Sequence, residues 1–296
     1  MIIQAILNVL LVSSWASSSI VPATRISPSV RTSIAPENNG RFFYSYAVTN
    51  GTDGQQEVRE IYLLVASSAD LTIGGAQNWS GSYLPHDHVV SWGTPGQYLA
   101  VGSTLSGLTL SSPALPQVSK FFIRGNAPLP SFNDGEDDDS SSATEIPDRY
   151  QDAVTVWTIA PTSGAPVSAG DGISNLIALK HQAAGLGWLR GDEFIHDLDE
   201  KLDQAKAALA QSKNFKARKK LEQFIHELNE RRKEQKERQH DASEKGKDEK
   251  VEHSEGSKIF LDDNAYYLLK VNAESTVSKL PAKEHGEDGD GKDADE

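Results

Sequence analysis

The sequence contains no cysteine, so neither a disulfide framework nor a thiolate metal site can stabilise this protein. It is also poor in positive charge: 29 Lys and Arg stand against 42 Asp and Glu, which gives a net charge of −13. Because affinity for a phosphate backbone comes from clustered Lys and Arg, we predict no nucleic-acid partner. After residue 12, no apolar run approaches the ~18 residues of a membrane-spanning helix, so we predict no transmembrane segment in the mature chain.

The first residues resemble an export signal. Residues 2–12 form a short, apolar run without charge, and Ser14 and Ala16 follow with the small-x-small spacing of a cleavage site. This pattern predicts a signal peptide at 1–16 and a secreted, periplasmic or extracellular mature protein. No Lys or Arg precedes the run, which leaves open a buried N-terminal strand or a truncated gene start.

The composition changes once along the chain. Before about residue 160 the chain is rich in Ser, Gly, Thr, Val and aromatic residues, which suit strands and turns. After about residue 173 it is rich in Ala, Leu, Lys, Glu and Gln, which suit helices. We therefore predict a strand domain at 22–160 and a helical domain at 173–281, joined by a Pro-, Ser- and Gly-rich linker at 161–172.

The strand domain has the pattern of an antiparallel β-sandwich of Ig-like type. Short β-branched and aromatic runs alternate with turn dipeptides such as Asn50-Gly51 and Asp53-Gly54. The predicted strands cover residues 27–34, 41–49, 58–65, 88–92, 98–101, 108–110, 120–124 and 153–159. An acidic segment at 131–143 is too highly charged to be buried and is predicted to be a solvated loop.

The helical domain has apolar residues at helical spacing. The clearest stripe recurs at intervals of three and four residues and comprises Ile195, Leu198, Leu202, Ala205 and Leu209. Further stripes lie within 173–186 and 217–228, and Asp262 or Asp263 is the predicted N-cap of a last helix. We predict a small α-helical bundle, with a charged extension at 229–257 that protrudes into solvent and a disordered acidic tail at 282–296.

The helical part resembles a known module, the FIMAH-type helical domain found at the ends of bacterial extracellular proteins. The resemblance rests on residues 176–179, 198–205 and 264–269, together with Ala217 and residues 221–225. It covers about 100 residues and implies a helical appendage without catalytic residues; the chain differs from the family in its long charged segment after Leu228. Residues 44–51 are similar to sandwich domains of bacterial secreted proteins.

The pair His86 and His88 is the candidate metal site. In an extended strand both imidazoles project to the same side and can share one cation. The alternative is a solvated turn that leads into the strand at Val89. No further ligands are indicated by the sequence, and we predict no bound cofactor.

Three aromatic residues form the candidate ligand site. Trp79, Tyr83 and Trp92 fall within a short span that also contains Gly and Asp. Aromatic rings on sandwich loops hold sugar rings, so this group predicts a carbohydrate site. The alternative is that Trp92 is a strand residue inside the core.

These patterns favour an exported bacterial protein that acts as a non-enzymatic binding or surface-spacer module. Its predicted partner is a carbohydrate or a protein outside the cell or at its surface. The alternative function is a secreted metal-dependent or hydrolytic enzyme with its site in the sandwich loops. No Gly-x-Ser-x-Gly elbow occurs in the sequence, and no pair of carboxylates is suited to acid and base roles.

Overall fold

The computed structural model describes residues 24–66, 70–126, 150, 152–161, 168–244 and 259–282, with side chains as far as 238 in the helix that ends at 244. The predicted signal peptide at 1–16 and the acidic loop at 131–143 lie outside these residues. So do residues 162–167 of the predicted linker, 245–257 of the charged extension and 283–296 of the tail.

Two antiparallel sheets form the first part of the described chain. The four-stranded sheet has the order β1-β2-β7-β4, and the five-stranded sheet has the order β5-β6-β3-β8-β9. Their strands are β1 (Pro28–Pro36), β2 (Phe42–Asn50), β3 (Val58–Leu64), β4 (Thr72–Gly74), β5 (Ser80–Leu84), β6 (Val89–Gly93), β7 (Thr104–Ser112), β8 (Pro116–Gly125) and β9 (Val154–Pro161).

The strand predictions are confirmed for the runs rich in β-branched and aromatic residues and differ elsewhere. Strands β4 and β5 were not predicted, because their Thr, Gly and Ser residues also occur in turns. The predicted strand at 98–101 is a single bridge between Leu99 and Val58.

Aromatic side chains from the two sheets meet in the core. Along β2, Tyr44, Tyr46 and Val48 are buried, whereas the residues between them are more exposed, as alternation along a strand requires. The Tyr46 ring lies 5.2 Å from the ring of Phe121 and 6.1 Å from that of Trp92, both on the five-stranded sheet. Burial raises the pKa of Tyr46 well above its usual value, and its hydroxyl donates to the carbonyl of Ile159 at 3.2 Å.

A buried hydroxyl pair joins the edges of the two sheets. Thr32 of β1 and Thr158 of β9 are both buried, and their Oγ1 atoms are 2.8 Å apart. Each buried hydroxyl is therefore hydrogen-bonded without water. This bond helps to hold β1 and β9 side by side.

Helices and two short strands form the second part. They are α1 (Ala169–Gly185), β10 (Leu189–Arg190), α2 (Asp192–Ala210), α3 (Asn214–Glu244), β11 (Phe260–Leu261) and α4 (Asp263–Val277). Helix α1 begins within the range predicted as a linker, because Ser168 and Asp171 form a capping box there. Asp262 is the N-cap of α4 and accepts a hydrogen bond from the Asn264 amide, which confirms that predicted cap.

Helix α2 buries most of its predicted apolar face. Leu198, Leu202 and Ala205 are fully buried. Phe194 and Ala208 are also buried, whereas the predicted Ile195 and Leu209 are half-buried. Lys180 of α1 is also fully buried and pairs with Asp199 of α2. A buried ammonium group needs such a carboxylate partner, so the pair fixes how α1 and α2 meet.

The composition of the charged second half of α3 predicts that it protrudes into solvent, but two of its side chains contact β11 and α4. Gln235 accepts a hydrogen bond from the Leu261 amide at 3.1 Å. Arg232 pairs with Asp263, and its guanidinium carbon lies 5.1 Å from the centre of the Tyr266 ring. Long polar side chains therefore hold this half of α3 against β11 and α4, which a count of apolar residues cannot indicate.

A hydrogen bond from α4 joins the helices to the sheets. Asn272 is buried, and its Nδ2 donates to the carbonyl of Pro116 at 2.9 Å and to that of Leu268 at 2.8 Å. Helix α4 also contacts β1, β8 and β9, and most of the buried apolar residues of the strands and helices form one continuous cluster. Val89, Phe122 and Tyr150 form a second, smaller cluster. The structure confirms antiparallel sheets combined with helices; the Ig-like sandwich and the helical bundle stay predictions.

Among the described helices, none is both long and apolar enough to cross a membrane.

Replacing Asn272 with Ala should destabilise the protein by about 1–3 kcal/mol, because the buried Pro116 carbonyl loses its donor. Urea unfolding followed by circular dichroism measures this loss. The control is Gln223→Ala, which removes an exposed amide from α3. A change of less than ~0.5 kcal/mol in both variants would show that the bond contributes little.

Candidate ligand-binding face

Two of the three predicted ligand-binding aromatics belong to the core. Trp92 is 1% exposed and Trp79 is 5% exposed, and the Trp92 indole Nε1 donates to the carbonyl of Gly74 at 2.8 Å. Tyr83 is half-buried, with its hydroxyl 3.1 Å from Nδ1 of His88. Neither indole offers a free face to a sugar, because both are buried. For Trp92 the cause is the period-two alternation of β6, which turns its ring inward, onto Tyr46 and Phe121.

The two candidate metal ligands lie in a turn. Residues 85–88 connect β5 to β6, and His88 has a positive φ of 53°, so the extended geometry assumed for His86 and His88 does not occur. Both side chains are exposed. Within the part of the chain that the structure describes, no group of three or more His, Asp or Glu residues could hold a metal ion.

A different aromatic residue is exposed on the five-stranded sheet. Trp157 of β9 is 43% exposed and is paired across strands with Lys120 of β8, whose Nζ lies 4.7 Å from the centre of the indole ring. Strand register places Phe122 and Arg124 of β8 and Tyr62 of β3 on the same face. We call this surface the Trp157 face and define it by Glu60, Tyr62, Lys120, Phe122, Arg124, Thr155 and Trp157.

Along β9, the Trp157 face changes from buried to exposed at Trp157. Ile159, two residues further along β9 and on the same side of the strand, is fully buried, and helix α4 contacts both β8 and β9. Thr155 on the other side of Trp157 is exposed. Trp157 is thus the first residue of this row that is open to solvent.

Tyr150 packs over the middle of the Trp157 face. Its ring stacks on that of Phe122, with centroids 5.5 Å apart and an angle of 8° between the planes, and lies 4.8 Å from the ring of Tyr62. The Tyr150 hydroxyl donates to Oδ2 of Asp87 at 2.9 Å. These ring contacts hold Phe122 and Tyr62 in place on the Trp157 face.

Charged groups form a chain of contacts along one side of the face. Arg124 Nη2 lies 2.9 Å from Asp152 Oδ2 and its Nη1 lies 3.4 Å from Glu60 Oε2, and this Glu60 oxygen accepts from the Tyr62 hydroxyl at 2.7 Å. Burial and then the hydrogen bond to Glu60 raise the pKa of Tyr62 to about 12, against the opposing charge of Arg124. The face therefore combines an exposed indole with hydrogen-bonding groups in fixed positions.

Sequence reasoning identified the strand of Trp157 but not its exposure. In the predicted strand 153–159, alternation separates Val154 and Val156 from Thr155 and Trp157, and the polar Thr155 marks the outward side. That signal was available. The pairing of Trp157 with Lys120 depends on the order of strands in the sheet, which the sequence does not specify.

Comparison with family models, with curated proteins and with solved structures finds no match to this chain. The resemblance of the helices to the FIMAH-type domain, and that of residues 44–51 to bacterial sandwich domains, therefore stay predictions.

Stability should fall in alkaline solution because of Tyr62. The folded state keeps the phenol proton up to about pH 12, whereas an unfolded tyrosine loses it near pH 10. The stabilisation is complete below pH ~10 and is lost as the pH rises through ~12. In the Tyr62→Phe variant the unfolding free energy should depend less on pH in this range. The spectrum of the wild type minus that of Tyr62→Phe isolates the tyrosinate band of Tyr62. If this difference titrates near pH ~10 while circular dichroism is unchanged, the assignment is contradicted.

Proposed function

We propose that this chain is an exported, non-enzymatic binding protein that holds a carbohydrate against the Trp157 face. The observation that carries the proposal is the exposure of Trp157 on a sheet whose other large aromatic side chains are buried or half-buried. A single aromatic ring left in solvent forgoes the stabilisation that burial would provide. A ligand that covers the indole would recover it.

The chemistry of the face suits a sugar. The C–H groups of a sugar ring provide an apolar surface that stacks on an indole, while its hydroxyls need donors and acceptors beside the ring. Lys120 lies against the indole, and Glu60, Arg124 and the Tyr62 hydroxyl are on the same face. A few polar groups around an apolar platform are the usual composition of a small-molecule site.

The architecture that we propose for this function is an Ig-like sandwich followed by a helical bundle of FIMAH type. The ring contacts of Tyr46 with Phe121 and Trp92 support face-to-face sheets. The contacts of α1 with α4, of α1 with α2 and of α3 with both α2 and α4 support a bundle. The apolar run at 2–12 supports export across a bacterial membrane, to a place where glycans are available.

Replacing Trp157 with Ala should weaken carbohydrate binding at least tenfold, or by ~1.4 kcal/mol, because the stacking platform is removed. Binding is measured on a glycan array and by co-sedimentation with insoluble cellulose and chitin. The matched control is Phe43→Ala, since Phe43 is 39% exposed on the four-stranded sheet. Equal binding by wild type and Trp157→Ala, or no binding to any glycan, would rule the proposal out.

A further inference from the structure

A charged cavity lies where the helices approach the edge of the four-stranded sheet. It has a volume of about 330 Å³. Arg31 of β1 lines one part of it, Arg232 and Lys236 of α3 line another, and Phe260 of β11 forms an apolar section of the wall. A volume of this order falls within the range of small-molecule sites.

The two carboxylates that line the cavity are already engaged. Asp263 pairs with Arg232. Asp262 accepts a hydrogen bond from the Asn264 amide at 2.7 Å, as the N-cap of α4. Asp263 is therefore paired with a cation, and Asp262 is held by its hydrogen bond at the N-terminus of α4.

Two of the cations that line the cavity have no such partner among the described residues. In the described ranges, neither Arg31 nor Lys236 forms an ion pair or a side-chain hydrogen bond. Gln235 also lines the cavity and accepts from the Leu261 amide through Oε1, so its Nε2 donors remain for a ligand. Three cations and two carboxylates line the cavity, so its lining carries a net positive charge in a chain whose net charge is −13.

We propose that this cavity binds a small organic anion whose phosphate or carboxylate group lies between Arg31 and Lys236. A guanidinium and an ammonium group from different elements can contact two oxygens of one oxyanion, and charge-assisted hydrogen bonds of this kind are the strong ones. The Gln235 amide donates a further hydrogen bond, and Phe260 contacts the apolar part of the ligand. The site is separate from the Trp157 face, whose defining residues do not line the cavity.

Isothermal titration calorimetry on the full chain tests the site with three probes: inorganic phosphate, glucose 6-phosphate and glucuronate. We expect Arg31→Ala and Lys236→Ala each to weaken binding by about tenfold, the effect of losing one charge-assisted hydrogen bond. The double variant should show no binding. The matched control is Lys233→Ala, which removes an exposed charge from α3 outside the cavity and should leave the affinity unchanged.

The relative affinities for the three probes identify the chemical group that the cavity binds. Equal affinity for phosphate and glucose 6-phosphate assigns the site to the phosphate group, and binding of glucuronate alone assigns it to a carboxylate. If none of the three binds, or if Lys233→Ala lowers affinity as much as Lys236→Ala, the inference is overturned. Trp157→Ala should leave anion binding intact, so this test does not depend on the carbohydrate proposal.

Discussion

The contact of Tyr46 with Trp92 and Phe121 is the constraint on which the exposed surfaces of this protein depend. These three rings are buried against one another, and their burial fixes which side of β2, β6 and β8 faces inward. Because alternation has a period of two, a slip of one residue in any of these strands would bring its core residues to the surface. The large area buried by aromatic rings makes such a slip costly.

The Trp157 face follows from the same constraint. Phe121 points into the core, so register directs Lys120 and Phe122 of β8 outward, together with Trp157 of β9. Tyr150 covers Phe122, and Ile159 is buried near the helices, which leaves the Trp157 indole open between them. The exposure of this ring is therefore set by packing on the rest of its face. The charged cavity is lined by residues of β1, α3, β11 and α4, together with the N-cap Asp262.

Much of the local structure could be predicted from the sequence, because it depends on local physical chemistry. Alternation located the long strands, helical spacing located α2, and a carboxylate before an apolar run located the Asp262 cap. The site residues could not be predicted in the same way. Alternation with the polar Thr155 indicates which side of β9 carries Trp157, but the order of strands and the position of the helices decide how far Trp92 and Trp157 are covered. The attachment of α3 through Arg232 and Gln235 likewise depends on residues distant in the chain.

The most direct test of the account is the reactivity of the individual tryptophans toward N-bromosuccinimide, followed by peptide mass spectrometry of the native protein. The account predicts that Trp157 is oxidised before Trp79 and Trp92, which are protected until the protein unfolds. Oxidation of Trp92 at the rate of Trp157 in the folded protein would contradict the proposed register and, with it, the Trp157 face.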